Sequence, residues 1–361
     1  MKKFSLVLLA LFCFQAQAIR TLSFDERKLE TEFDRLALQE KWTFATDVTA
    51  VGNPEYGKGY LGPSLDLPFV DFDPSVDVYS VDLRDKTKFK VIRNQGSCGS
   101  CVVFAVNGAW TITMQLRNLV FPDLSEGHLM NCGGNGGQCS GDYGDRVSER
   151  LDKLQTLFPL SVYPYVTSSG SCKESRYSGP RYGKISEFKN VGTSVRELGA
   201  ALNAGYAVAG GVAADRYYQA YRGGVYNPQN SSSSVNHYTV LIGLDCETSV
   251  DASGKCVFDA NGNLPAGVGK FITRNSWGAG WGQGGYMVSK ITDSRGRRIN
   301  AMYYGRGNAQ IYETGIPITP PSPVIFKMKG SSDLEVTVQP SVFDAEQIKS
   351  GLIQAGFTSG D

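Results

Sequence analysis

Histidine is almost absent: the 361 residues contain two, His128 and His237. Any chemistry that needs an imidazole therefore has only two possible addresses. An excess of charge of one sign is also missing. Thirty-six Lys and Arg face 35 Asp and Glu, for a net charge of +1, and the basic residues do not cluster. This removes nucleic acid and anionic membrane surfaces as partners. Beyond the first eighteen residues no apolar run is long enough to cross a bilayer, so no membrane anchor is expected. Cys132 and Cys139 lack the C-x-x-C spacing of a zinc site, and the reading calls for no metal and no cofactor.

What is present starts with a targeting segment. Lys2 and Lys3 precede a short apolar core at 6–14, and Ala16-Gln17-Ala18 gives a small-x-small cleavage site. Residues 1–18 thus read as a signal peptide, with a mature chain starting near Ile19. Bulky Phe12 argues against lipid attachment at Cys13. The compact, Lys-rich signal is of a bacterial kind and implies a periplasmic or extracellular product. Seven cysteines remain after cleavage, at 98, 101, 132, 139, 172, 246 and 256. In an oxidising compartment an odd count implies pairs plus one free thiol.

Residues 19–75 contain no cysteine. A charged, helix-forming stretch at 24–42 carries Leu29, Phe33, Leu36 and Leu38 as an apolar stripe, and a Gly/Pro-rich arm follows. A helix and an extended arm without a core of their own suit a propeptide; the plain alternative is an N-terminal extension. Residues 76–315 form the main domain, long enough for two lobes around a cleft. Its first part reads as helical. The run from Val102 to Leu116 is apolar on nearly every face and predicts a central buried helix. Cys101 falls on its first turn, where unpaired N–H groups and the helix dipole favour thiolate. Ser125 caps a short helix at 126–131, and 145–157 is amphipathic. Further on, 225–226, 237–244, 268–275 and 286–291 read as strands. A helical lobe followed by a β lobe is an α+β fold, with the site between the lobes. Residues 316–361 form an extension with strand-like patterns at 324–329 and 334–339, and a helix capped by Ser341. No chemistry is assigned to it.

A nucleophilic cysteine needs a base, usually histidine. His128 lies in a helical turn and reads as an ordinary solvated residue. His237 heads the apolar strand from Tyr238 to Gly243. Asn275, in Asn-Ser-Trp-Gly-Ala-Gly-Trp-Gly, can accept from an imidazole N–H, and Trp277 can shield that bond from water.

Gln95-Gly-Ser-Cys-Gly-Ser-Cys101, then Asn236-His237, then Asn275-Ser-Trp-Gly resembles the papain-like cysteine peptidases, over most of 76–312. The resemblance implies a papain-like two-lobe fold, with a helical left lobe, a β-barrel-like right lobe and a cleft between them. It implies a monomeric thiol peptidase that acts on peptides or proteins and is inhibited by its own propeptide. Cys101 would be the nucleophile, His237 the acid and base, and Asn275 its orienting partner. Gln95 and the Cys101 amide would form the oxyanion hole, with Trp277 as support. Gly141, Asp142, Asn236 and Tyr238 would bind substrate. The implied disulfides are Cys98–Cys139 and Cys132–Cys172, leaving Cys246–Cys256.

Four departures from the family pattern bear on specificity. Val102 follows the nucleophile where an aromatic is usual. Asp142 replaces a cleft glycine and, if it faces the cleft, favours a cation at P2; the alternative is that it points outward and caps the next helix. Tyr238 narrows the space beside His237, and 246–269 resembles an insertion. Two other readings stand beside the peptidase. One is a silent papain-like binding protein; the other is a thiol–disulfide oxidoreductase using Cys98 and Cys101.

Overall fold

The computed structural model describes residues 58–62, 76–86, 91–117, 122–134, 139–168, 170–227, 234–293, 295–297, 299 and 309–314, with strands at 325–329 and 333–337. The signal peptide, the helix expected at 24–42 and the helix expected after Ser341 lie outside these residues.

Helix α1 spans Cys101–Leu116, and every residue except Thr111 and Leu116 is buried. A helix apolar on all sides can only be central. Helix α2, Glu126–Asn131, begins at Ser125, whose side chain accepts the His128 amide. Helix α3 covers Gly144–Leu154, three residues short of the expected end. Gln155 takes a left-handed φ of 61° and its N–H returns to Leu151. Leu157 is then drawn into a bridge with Tyr182. Two further helices are α4, Val195–Asn203, with a Ser194–Glu197 capping box, and α5, Arg216–Ala220, capped by Asp215.

Eight strands form one open sheet. They are β1 (Val81–Asp82), β2 (Ile185–Asn190), β3 (Val208–Val212), β4 (Val225–Tyr226), β5 (His237–Asp245), β6 (Lys270–Arg274), β7 (Tyr286–Lys290) and β8 (Ala309–Thr314). Their order is β2-β8-β3-β5-β6-β7-β4, with β1 also on β5. All neighbours are antiparallel except β4 and β7. The sheet does not close on itself, so the right lobe is barrel-like in curvature rather than a closed barrel. A separate hairpin pairs β9, Ile325–Lys329, with β10, Asp333–Thr337. Among the described residues no helix is long and apolar enough to cross a membrane.

Strand β5 is the hinge between the layers. It is buried from His237 to Leu244 and packs on α1. A Cβ on Gly108 would come within 3.2 Å of Val240 Cγ2. The head of β5 also meets the head of α1, where the Tyr238 amide points at the Cys101 sulfur. The extra loop at 246–269 sits elsewhere: Cys246–Cys256 clips it, and the Cys256 amide donates to Val78.

Candidate active site

Three disulfides join Cys98 to Cys139, Cys132 to Cys172 and Cys246 to Cys256. Among the described residues Cys101 is the free cysteine. Because Cys98 is bonded to Cys139, a Cys98–Cys101 dithiol has no place here. Ser100 makes no side-chain cap on α1, and the amides of Cys101 and Val102 point at the sulfur, together with those of Tyr238 and Gly59.

His237 lies 2.8 Å from Asn275, its Nε2 donating to Oδ1. Asn275 Oδ1 also accepts the Ser276 amide at 2.7 Å, which fixes the carboxamide. The imidazole stacks on Trp277, with centroids 4.5 Å apart and planes 25° off parallel. Nδ1 is left without a hydrogen bond. With Nε2 carrying the proton, Nδ1 is the basic nitrogen.

Gln95 is fully buried. Its Nε2 donates to Cys98 O at 2.9 Å and its Oε1 accepts from Ser276 Oγ at 2.6 Å. The Gln95 amide donates to Ser276 O, so the loop before the nucleophile is stitched to the loop that carries Asn275. Tyr165, to which the sequence assigns no role, donates to Gln95 O at 2.9 Å and lies 2.7 Å from Ser100 Oγ. Neither Ser276 nor Tyr165 announces such a role in sequence beyond its nearness to a motif.

The cleft is occupied by the chain's own residues 58–61. Asp142 donates to Gly59 O at 2.7 Å, and Leu61 donates to Asp142 O at 3.0 Å, in parallel register. Tyr60 donates to Asn236 O at 3.2 Å and stacks on Tyr238 at 4.6 Å. Gly141, at φ 118°, would drive a Cβ to 2.7 Å from Gly59 O. Gly141, Asp142, Asn236 and Tyr238 thus all touch the arm.

Beneath this cover the state of Cys101 is the opposite of the expected thiolate. Burial pushes the Cys101 thiol up to about 12, although the amides around it pull the other way. Burial likewise pushes His237 down to about 4, and the Lys58 ammonium adds to the effect against the Asn275 hydrogen bond. Under the arm, burial favours the thiol of Cys101 and the neutral imidazole of His237.

Two expectations need correction. Asp142 does not present its carboxylate to the cleft: Oδ2 pairs with Arg150 and Oδ1 accepts the Tyr143 amide at 2.9 Å. It does not cap α3 either, because Tyr143 holds that position with no side-chain bond. His128 is not solvated but fully buried. Its Nδ1 accepts the Phe158 amide at 3.2 Å, and its Nε2 lies 3.0 Å from Glu174. His128, Cys132 and Glu174 lie close together, but Cys132 is spent in its disulfide.

Residues 78–304, or 227 of 361, match the family described as papain family cysteine protease. The chain belongs to the papain family. It is 30% identical to ananain of Ananas comosus over 252 residues, covering 67% of this chain and 66% of ananain. It is 32% identical to cathepsin L 1 of Paramecium tetraurelia over 212 residues, covering 57% and 58%. The chain thus spans about two thirds or less of the length of these relatives. Among solved structures, digestive procathepsin L2 from Tenebrio molitor larval midgut superposes with a TM-score of 0.58 at 23% identity. That match covers 85% of this chain and 99% of the other. A recombinant stem bromelain precursor gives 0.57 at 22% identity, covering 84% and 98%. Both share the papain-like α+β fold.

Proposed function

We propose that this papain-family chain is an exported cysteine peptidase held in check by its own N-terminal arm. The observation that carries the reading is the free thiol of Cys101 at the head of α1, met by the amide of Tyr238, the residue next to His237, whose ring is held by Asn275 under Trp277. Once the cleft is open, Cys101 transfers its proton to His237 Nδ1. The helix-head amides and the new imidazolium then favour the thiolate. The thiolate attacks a peptide carbonyl, and Gln95 Nε2 with the Cys101 amide stabilises the oxyanion. His237 protonates the leaving amine, giving an acyl-enzyme, and then activates water to release the acid. Asn275 holds the ring in the tautomer that these transfers require.

The arm supports the propeptide assignment for residues 19–75. It pairs with Asp142 and covers the thiol, and the two structural neighbours described above are a procathepsin and a precursor. Three disulfides suit an oxidising compartment, in keeping with a signal peptide at 1–18. The test is cleavage of a peptide library by the full-length chain after activation, with iodoacetamide labelling of Cys101 and a Cys101→Ala control. Peptide products without labelling, or undiminished activity in the control, refute the mechanism.

A further inference from the structure

The segment 163–167 runs between α2 and the loop that precedes Cys101, and it is pinned on both sides. Ser125, which starts α2, donates its hydroxyl to Tyr163 O, and a Cβ on Gly127 would stand 2.7 Å from Pro164 O. On the other side Gly96, at φ 62°, makes room for Thr167: a Cβ on residue 96 would stand 2.8 Å from Thr167 Cγ2. Tyr165 projects from this fixed segment. Its ring meets Phe104 of α1 edge to face, with centroids 4.8 Å apart and planes at 87°. Its hydroxyl donates to Gln95 O at 2.9 Å. That use of the proton decides the second bond, so Ser100 Oγ, 2.7 Å away, is the donor to the phenol oxygen. Burial raises the phenol, with Ser100 pulling against it, so Tyr165 stays a donor through neutral pH.

One oxygen thus ties together the two short stretches that carry the proposed oxyanion donors. Gln95 brings its Nε2, and the peptide unit joining Ser100 to Cys101 brings the Cys101 amide. Cys98 O and Ser276 Oγ hold the Gln95 carboxamide from its far end, while the phenol bridges the Gln95 backbone to the Ser100 hydroxyl. We propose that Tyr165 is a positioning residue for the oxyanion hole, its hydroxyl keeping Gln95 and the Ser100–Cys101 peptide at the separation that the transition-state oxygen requires. The inference rests on the peptidase reading and deepens it. Donors aimed at developing charge are effective when they are fixed before the charge appears. A bridge that fixes both should therefore act on kcat and leave KM alone.

The test uses enzyme activated from the full-length chain and counted by titration with a thiol-trapping epoxide. Tyr165→Phe keeps the ring against Phe104 and removes the bridge. Its kcat is expected to fall about tenfold, less than the loss from deleting a donor outright, with KM changed by less than about twofold. The variant is also titrated with a peptide aldehyde and with the matching alcohol. In the aldehyde adduct Cys101 Sγ bonds to the carbonyl carbon, the π pair moves to the oxygen that the hole receives, and the thiol proton goes to His237. The alcohol forms no adduct. Aldehyde affinity should drop about tenfold while alcohol affinity holds, a split that a merely structural role would not produce. Ser100→Ala removes the other end of the bridge; it should give the same split at about three- to fivefold and decides the matter if Tyr165→Phe does not fold. Unchanged kcat, or equal weakening of aldehyde and alcohol, overturns the assignment and leaves the peptidase standing. A wild-type chain that cuts no peptide, and binds the aldehyde no tighter than the alcohol, refutes the peptidase reading and the assignment with it.

Discussion

Gly59 of the arm and Gly99 of the active-site turn pack backbone against backbone. A Cβ on Gly59 would stand 2.6 Å from the Gly99 carbonyl carbon, and one on Gly99 would stand 2.8 Å from Lys58 O. The seat of the arm is thus cut to fit glycine on both sides, and the contact sits two residues from Cys101. Whatever loosens it uncovers Cys101.

Gly59→Ala in the full-length chain should unseat the arm, because the backbone it meets cannot yield. Exposing the cleft removes the arm's share of the burial that raises the thiol and lets the amides at the head of α1 lower it. We expect alkylation of Cys101 by iodoacetamide at neutral pH to speed up by about tenfold or more. The rate of label incorporation at Cys101, read by mass spectrometry, checks this. An unchanged rate would mean that the arm does not control the thiol.

On the proposed mechanism, Cys101→Ala and His237→Ala should each abolish measurable turnover of the activated chain, since the one would make the bond and the other would move the protons. Asn275→Ala should be milder, with a loss of kcat on the order of a hundredfold and little change in KM, because Asn275 acts only through His237. Steady-state kinetics on one good peptide separates the three. An Asn275 variant as dead as the Cys101 variant would give Asn275 a larger role than orientation.

The fold was legible where chemistry leaves a local mark. An apolar run with no polar face fixed α1, and a small polar residue before a short amphipathic turn placed α2 at Ser125. The strands holding His237 and Tyr286 were visible as apolar runs broken by glycine. What stayed hidden depends on partners distant in sequence. Strand β2 is amphipathic and half exposed, and it exists because β8 pairs with it. His128 reads as a surface residue until Phe158 and Glu174 close over it. The direction of Asp142 is set by Arg150, one turn and more along α3, and no property of residue 142 alone announces it. The arm's glycines were visible, but their seat against Gly99 was not.

Asp142→Asn should leave the ratio of kcat/KM for P2-Arg and P2-Leu peptides unchanged, because the carboxylate serves Arg150 and the Tyr143 amide rather than the cleft. Its cost should appear in stability. Arg150 is 5% and Asp142 12% exposed at the side chain, and removing one partner of a pair so little solvated costs about 3 kcal/mol. Peptide kinetics and a melting curve on the same sample make the check. A selective fall in P2-Arg cleavage would return Asp142 to the specificity pocket.

Acid should release the arm. In the covered chain His237 titrates at about 4 against an ordinary 6.5, chiefly from burial and in lesser part from Lys58. A base with a depressed pKa contributes stability that is complete above its unfolded value and is lost as the pH falls toward the folded one, so the covered state weakens from about pH 6.5 down to about 4. Across that window folding as a whole loses about 3 kcal/mol, and the arm's share is the part of the burial that residues 58–61 supply. Burial lowers His128 as well, against the pull of Glu174. It contributes in the same sense, but to the lobe as a whole rather than to the arm. The two separate by position. Hydrogen exchange at residues 58–61, followed against pH, should rise below pH 6.5 before the global melting temperature falls. In His128→Gln, which keeps an acceptor for Phe158, the acid sensitivity of melting should shrink while arm release keeps its pH profile. If exchange in the arm is flat between pH 6.5 and 4, protonation of His237 is not what opens the cleft.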